Sequence, residues 1–358
     1  MTDTISPDMA PLAWAAERWA VDPDSVRAVP LPGDASRRRY TRLASGAETR
    51  ILMEGPDPSE NATWFQEGRK LHAGGFPLPE IMGWDLARGF FLLEDLGDVL
   101  LCYLEPGAAA AGAGPGGGSF EADGEFAVRC RRAAEVMAAL HDGGWAALAP
   151  VVDVVAPPYD AGFVLAHEWS YFLSGARLMG MEGDFERTLA AEGRKIAALA
   201  GSELERSFIH RDFQSRNVLV REGGIFLVDW QGGRLGPPYY DLASLIFDPY
   251  TDLSLDARED VAAAYLAARA SRPGADEWRG RTRFFGMVRL MQAAGAYAHL
   301  AAAWGKPEYA RYLPRALVRA RALSDDMPGG SFPGLTAFFD DYLSKLPGML
   351  DGVGTCAL

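Results

Sequence analysis

The sequence predicts an α+β fold in two parts, a small β-rich N-terminal lobe over residues 1–97 and a larger, mainly α-helical C-terminal lobe over residues 98–358. Three observations predict it. Short apolar runs bounded by glycine, proline and acidic turns crowd the stretch before residue 97. From Phe120 onward apolar residues recur at helical spacing. One β-hairpin interrupts that helical part, at residues 207 to 230.

The bulk numbers suit this division. A chain of 358 residues is long enough for two lobes, and 49% hydrophobic with 23% charged residues is ordinary for a soluble globular protein. The net charge of -13 argues against a general nucleic-acid or anionic-membrane binder, because such partners require clustered positive charge. Cys102, Cys130 and Cys356 are widely spaced and form no C-x-x-C pair, so neither a zinc site nor a disulfide framework is suggested and a reducing compartment fits. The first twenty residues include Asp3, Asp8 and Glu17 and lack the pattern of a secretory signal, which makes the cytoplasm the expected location. A monomer is the expected state.

In chain order, residues 9 to 20 place Leu12, Ala15, Ala16 and Trp19 on one face of a packing helix. Strands follow at Val26 to Leu31, Arg37 to Leu43 and Arg50 to Met53, with the glycine turn Gly33-Asp34-Ala35-Ser36 between the first two. Such a turn can lay backbone N–H groups over a triphosphate, with Ser36, Arg38 and Arg39 adding donors and positive charge. A solvated basic strand edge is the plainer account of those arginines. A helix capped by Ser59 runs to Ala73 and carries Glu67. Strands at Ile81 to Asp85 and Phe90 to Leu93 lead into Glu94-Asp95-Leu96-Gly97, where backbone groups can meet a purine edge and Leu31, Leu52 and Leu96 can wall a pocket, although plain core is the simpler account of each leucine.

Residues 106 to 119 are glycine-rich but lack the Lys and Ser/Thr of a P-loop, so a surface loop is expected. Helices follow from Phe126 to His141, Val164 to Met179 and Phe185 to Ala200. His141 reads as a helix-end packing residue. Glu168 and Trp169 suit either a sugar site, which commonly pairs an aromatic face with a carboxylate, or one side of an amphipathic helix. Beyond the hairpin, Gly232 to Tyr240 reads as an exposed loop, and Asp241 as the cap of a helix from Leu242 that also reaches back to brace the loop carrying Asp212. Four more helices complete the chain. One spans the apolar stretch Met287 to Trp304, whose Arg289, Gln292 and His299 mark it as part of a soluble fold rather than a membrane span.

The chemistry concentrates on the hairpin. His210-Arg211-Asp212 precedes its first strand, Asn217 begins that strand, and Asp229 ends the second. Phosphoryl transfer needs a group that orients the acceptor hydroxyl and takes its proton, together with divalent metal to offset phosphate charge. Asp212 is the candidate base, and Asn217 and Asp229 are candidate Mg²⁺ ligands. Arg211 and Trp230, beside these residues, join Glu168 and Trp169 as candidate substrate contacts.

These residues resemble the aminoglycoside phosphotransferase and choline kinase superfamily, whose fold is similar to that of protein kinases. Gly-Asp-Ala-Ser-Arg-Arg-Arg-Tyr at 33 to 40, Leu-Leu-Glu-Asp-Leu-Gly-Asp at 92 to 98 and His-Arg-Asp-Phe-Gln-Ser-Arg-Asn at 210 to 217 most resemble bacterial N-acetylmuramate and N-acetylglucosamine anomeric kinases of cell-wall recycling. The resemblance implies ATP and Mg²⁺ as cofactors and transfer of the γ-phosphate to the C1 hydroxyl of an amino sugar. It also implies Asp212 as base, Asn217 and Asp229 as metal ligands, and Glu94 to Leu96 as the segment meeting adenine. One departure stands out: Met53 occupies the third-strand position where relatives carry a phosphate-binding Lys. Arg38 or Arg39 on the adjoining strand is expected to take over that charge. An aminoglycoside or amino-alcohol phosphotransferase of the same fold, and a nucleotide-binding pseudokinase, remain the alternatives.

Overall fold

Side-chain alternation sorts the N-terminal strands into two faces, as the two-residue period of a strand requires. The computed structural model describes residues 10–31, 38–105, 122–149, 156–271, 274–325, 327 and 330–351. Gly33, Asp34, Ala35, Ser36, the glycine-rich stretch 106–119 and Cys356 lie outside the described residues. In the N-terminal part, β1 (Arg27–Pro30), β2 (Arg39–Ser45), β3 (Glu48–Glu54), β4 (Ile81–Asp85) and β5 (Phe90–Glu94) form an antiparallel sheet in the order β1-β2-β3-β5-β4.

One face carries Leu43, Leu52 and Leu92, which pack with Trp14 and Ala15 of α1 (Pro11–Trp19). Leu52, expected to wall a nucleotide pocket, is therefore core beneath α1. The opposite face carries Met53, paired in register with Tyr40 on one side and Phe91 on the other. There Phe91 meets Trp64 of α2 (Pro58–Ala73) edge-on at 5.1 Å. The start of α2 differs from the sequence expectation. Asp57, not Ser59, is the N-cap; its carboxylate accepts the N–H groups of Ser59 and Glu60, and Pro58 takes the first helical position, where its missing N–H costs nothing.

The remaining strands are β6 (Ser207–Ile209), β7 (Val218–Arg221), β8 (Gly224–Leu227) and β9 (Arg234–Gly236); β7 pairs with β8, and β6 with β9. The chain divides into two compact units. The first comprises residues 1–98, 146–155 and 219–231, and the second residues 99–145, 156–218 and 232–358. The second half of the hairpin, from Leu219 on, thus groups with the N-terminal strands. Within that first unit Leu227 donates its N–H to the Pro77 carbonyl at 2.8 Å, and Arg221 reaches Glu94 at 3.2 Å.

Helices dominate the second unit. In order they are α3 (Ala122–Leu148), α4 (Ala161–Phe163), a π-helical stretch Val164–Trp169, α5 (Ser170–Leu178), α6 (Phe185–Gly201), α7 (Pro238–Ile246), α8 (Leu255–Ala268), α9 (Ala275–Ala302), α10 (Leu313–Leu323) and α11 (Pro333–Asp351). α5, α7 and α10 pack around α9. Where α5 meets α9 the backbones nearly touch: a Cβ on Gly175 would sit 2.9 Å from the Gly295 Cα, so this crossing requires glycine.

Two expectations fail in the segment after the hairpin. Gly232 to Tyr240 is not an exposed loop, because Arg234–Gly236 forms β9 against β6 and the prolines beyond it are buried. α7 begins at Pro238, ahead of Asp241, so Asp241 lies in the first turn rather than at the cap and its side chain is available for another task. Among the described residues no helix is long and apolar enough to cross a membrane.

Candidate active site

The loop from His210 to Asn217 begins where β6 ends, and it turns through an uncommon backbone conformation. Arg211 has φ 72° and Asp229 has φ 66°, two of only four positive-φ residues other than glycine among those described. Such geometry costs on the order of 1 kcal/mol for a residue with a Cβ, so surrounding bonds must hold it. In the loop Asp241 does this. Its carboxylate accepts the N–H of His210 at 2.6 Å and that of Arg211 at 2.9 Å. The Asn217 side-chain amide and the Gln214 N–H both donate to the Asp212 carbonyl, at 2.9 and 2.8 Å, and Ser215 donates its N–H to Asp248 at 2.7 Å.

Behind Asp241 lies a second layer. His141 Nε2 is 3.1 Å from the Asp241 carboxylate and Nδ1 is 2.8 Å from the Tyr265 hydroxyl, which Arg269 also bonds. Burial depresses the imidazole pKa more than the neighbouring carboxylate restores it, so the ring is held neutral. A neutral ring with Nε2 protonated satisfies both partners, donating to Asp241 and accepting from Tyr265. His141 is thus a packing residue, as its sequence position suggested, with a polar duty.

Charge gathers around Asp212. Arg289 Nη2 lies 3.5 Å from one carboxylate oxygen and Arg211 Nη1 lies 3.6 Å from the other. Burial works against ionisation of Asp212, but Arg211, Arg289, His210 and Arg234 together outweigh it and hold the carboxyl below its usual range. The side chain is nevertheless 24% exposed, so a ligand can reach it. A Cβ at Gly232 would come within 3.3 Å of its Oδ2, and glycine keeps that approach open. Glu168, on the π-helical stretch, is fully buried; Arg211 lies 3.6 Å away and the Tyr240 hydroxyl donates to it at 2.9 Å. Burial dominates there and raises the Glu168 pKa despite these partners.

In the first unit, Asp229 Oδ1 accepts from the Gln231 amide at 2.6 Å. Burial pushes the Tyr40 phenol up to about 12, with Arg38 opposing and Asp229 adding to the effect, so these three side chains share one electrostatic neighbourhood. Arg38 is buried, paired with Glu60 at 3.1 Å and stacked over Trp64 at 5.4 Å. Arg39 is exposed and meets Glu54 at 3.1 Å. Met53 is fully buried, so no cation replaces the strand lysine at its own position. Asp95 accepts both Nε and Nη2 of Arg42, at 2.7 and 2.9 Å, while Leu96 is buried beside it in sequence.

Two candidate substrate contacts are core residues. Trp230 stacks on Trp64 with centroids 4.9 Å apart, donates Nε1–H to the Trp64 carbonyl at 2.9 Å and packs over Gly68, which leaves no ring face for a sugar. Trp169 lies against Gly193 of α6 so closely that a Cβ there would fall 2.4 Å from the indole. Large aromatics beside a motif are more readily used as packing than as platforms.

Residues 27–281 match the phosphotransferase enzyme family. The chain belongs to that family. It is 30% identical to the N-acetylmuramate/N-acetylglucosamine kinase of Pseudomonas aeruginosa, across 85% of this chain and 86% of that protein. To the kinase of the same name from Caulobacter vibrioides it is 28% identical, across 89% and 92%. Among solved structures, a choline/ethanolamine kinase family protein from Mesorhizobium loti superposes with a TM-score of 0.57 at 16% identity, covering 94% of this chain and 99% of that one. Choline kinase from Cryptosporidium parvum gives 0.59 at 11% identity, covering 95% and 98%. At such identities these likenesses speak for the fold alone, the protein-kinase-like α+β fold that the family resemblance implied.

A phosphotransferase commonly relies on a hard divalent cation, and the oxygen donors here suit one. Asn217 uses its amide N–H₂ on the Asp212 carbonyl, which fixes the amide so that its oxygen can serve as ligand. Among the described residues there is no cluster of three or more His, Cys, Asp and Glu placed to hold a metal ion.

Sequence reading missed Arg289 and Arg234. For Arg289 a signal existed: it and Gln292 break an otherwise apolar helix three residues apart, hence on one face, and they are bonded to each other. For Arg234 the only signal was a cation between glycines.

Proposed function

We propose that the chain is an ATP-dependent kinase that transfers the γ-phosphate to the anomeric C1 hydroxyl of N-acetylmuramate or N-acetylglucosamine. The product, an α-1-phosphate, is the form a nucleotidyltransferase converts to a UDP-sugar in peptidoglycan recycling. The observation that carries this reading is Asp212, an ionised and accessible carboxylate on a loop fixed by buried hydrogen bonds. The names and coverage of the curated relatives support the choice of acceptor.

In this reading Asp212 accepts the hydroxyl proton, and Asn217 and Asp229 each supply an oxygen to Mg²⁺. The cation offsets charge on the transferring phosphate. Gly33, Asp34, Ala35 and Ser36 cover the phosphates, Arg38 or Arg39 stands in for the missing strand lysine, and backbone groups of Glu94, Asp95 and Leu96 meet adenine. Arg211 remains the substrate contact, with the buried Glu168 behind it and Asp241 as the support. The enzyme works as a monomer in the cytoplasm. Catalysis then rests on positioning and fixed electrostatics, not on covalent chemistry.

ATP consumption measured beside N-acetylmuramate, N-acetylglucosamine and kanamycin tests this. Sugar-dependent turnover with a 1-phosphate product is expected, reduced roughly 10²- to 10⁴-fold in Asp212→Ala, the usual worth of a general base. Turnover with kanamycin alone, or none with any acceptor, would overturn the assignment.

A further inference from the structure

Arg234 stands apart from the other buried arginines described in the second unit, Arg269 and Arg289, each of which has a carboxylate beside it. Its Nε donates to the Gly232 carbonyl at 2.9 Å and its Nη1 to the Pro157 carbonyl at 3.3 Å, and its guanidinium lies 4.0 Å over the Phe163 ring. Among the described residues no carboxylate lies within ion-pair distance of it, and Nη2 has no protein acceptor. Arg211 lies over the same ring at 5.2 Å but has Glu168 and Asp212 beside it, each at 3.6 Å. Three guanidiniums, Arg211, Arg234 and Arg289, therefore share two acids, and the buried Glu168 is the more readily protonated of those two. Burial, with Arg211 adding to it, brings the Arg234 pKa down to about 10, the mark of a cation lacking its counter-charge.

A buried guanidinium left short of negative charge favours an anionic ligand, and its planar fork matches a carboxylate. The two sugars differ in this respect: N-acetylmuramate carries a lactyl ether acid where N-acetylglucosamine carries a hydroxyl. We propose that Arg234, with Arg211 over the shared Phe163 ring, recognises the carboxylate of the acceptor, so that the enzyme prefers N-acetylmuramate to N-acetylglucosamine. This rests on the function proposed above and adds the group that sets its preference.

The wild-type enzyme and Arg234→Gln are to be assayed with N-acetylmuramate, its neutral methyl ester and N-acetylglucosamine. Wild type should show kcat/KM for the acid about tenfold or more above the ester and the unsubstituted sugar, the scale of one charge-assisted hydrogen bond. Arg234→Gln should bring kcat/KM for the acid, the ester and the unsubstituted sugar to within about twofold of one another and leave the KM for ATP within about twofold, whatever turnover of all three loses with a positive charge near Asp212. Equal wild-type rates on acid and ester overturn the proposal, as does a variant that loses both sugars alike or raises the KM for ATP, which would place Arg234 on the donor phosphates. Should the variant fail to fold, the acid and ester comparison in wild type decides. Should wild type turn over none of the three, the functional reading fails, and calorimetry with the acid and the ester then judges the subsite separately: tighter binding of the acid upholds it and equal binding overturns it.

Discussion

The arginines on the N-terminal sheet and those around Asp212 are neutralised to different degrees. In the first unit Arg38 meets Glu60 at 3.1 Å, and Arg42 is held by Asp95 at 2.7 Å and Asp98 at 2.6 Å. Around Asp212 in the second unit, three guanidiniums share two carboxylates, and Asp241, which could have served as a third counter-charge, is committed to backbone N–H groups and His141. Matched pairs on the sheet fix local geometry. The unmatched cluster keeps Asp212 ionised and leaves positive charge over for a ligand, at the cost of burying cations without full compensation. That a segment rich in arginine can do either of these is why counting basic residues along a chain says little about where anions bind.

The comparison can be broken most sharply at Asp241. Asparagine there keeps the size but replaces one acceptor oxygen with a donor, so His210 or Arg211 loses its bond and the left-handed turn relaxes. Turnover should fall on the order of 100-fold with a smaller change in the KM for ATP, since small misplacements of a reacting group cost that much. Wild-type kcat in Asp241→Asn would mean that the loop is held by other contacts.

Arg38 and Arg39 sharpen the other side. If Arg38 adds phosphate binding to its pair with Glu60, Arg38→Ala should raise the KM for ATP about tenfold, the scale of one charge-assisted hydrogen bond. Arg39→Ala should change it by less than about twofold, because an exposed pair is worth little. An unchanged KM in both variants would show that neither replaces the missing strand lysine.

The smallest effect concerns His141. Burial holds its folded pKa below the unfolded value of about 6.5, so the unfolded chain binds the proton first. The contribution is fully present above about pH 6.5 and is lost as pH falls through the depressed folded value, at a slope of at most about 1.4 kcal/mol per pH unit. Denaturation midpoints taken between pH 7.5 and pH 5 should fall less steeply in His141→Asn than in wild type. Parallel slopes would refute the buried neutral ring.

Much of this protein was legible in its sequence because the relevant signals are local. Strand alternation, helical spacing and the run from His210 to Asn217 each depend on neighbours a few residues away, so the fold class and the candidate base could be read directly. Helix boundaries were less legible: Asp57 capped where Ser59 was expected, since both residue types favour that position and only the chain's entry angle chooses between them. Glycine and proline after the hairpin suggested an exposed loop, yet Arg234–Gly236 found a partner in β6, a strand some two dozen residues earlier.

What the chain determined by itself was the kind of chemistry: an acid, an amide and a second acid around a hairpin, set by residue type and spacing alone. What only the tertiary structure decided was which distant side chains surround that acid. Arg289 reaches Asp212 because α9 packs against α5 through two glycines, and Trp230 is withdrawn into the core because Trp64 offers it a ring and a carbonyl. Residues this far apart in sequence acquire neighbours only when the core closes, and charge compensation, which depends on every group within several ångströms, is settled at that point.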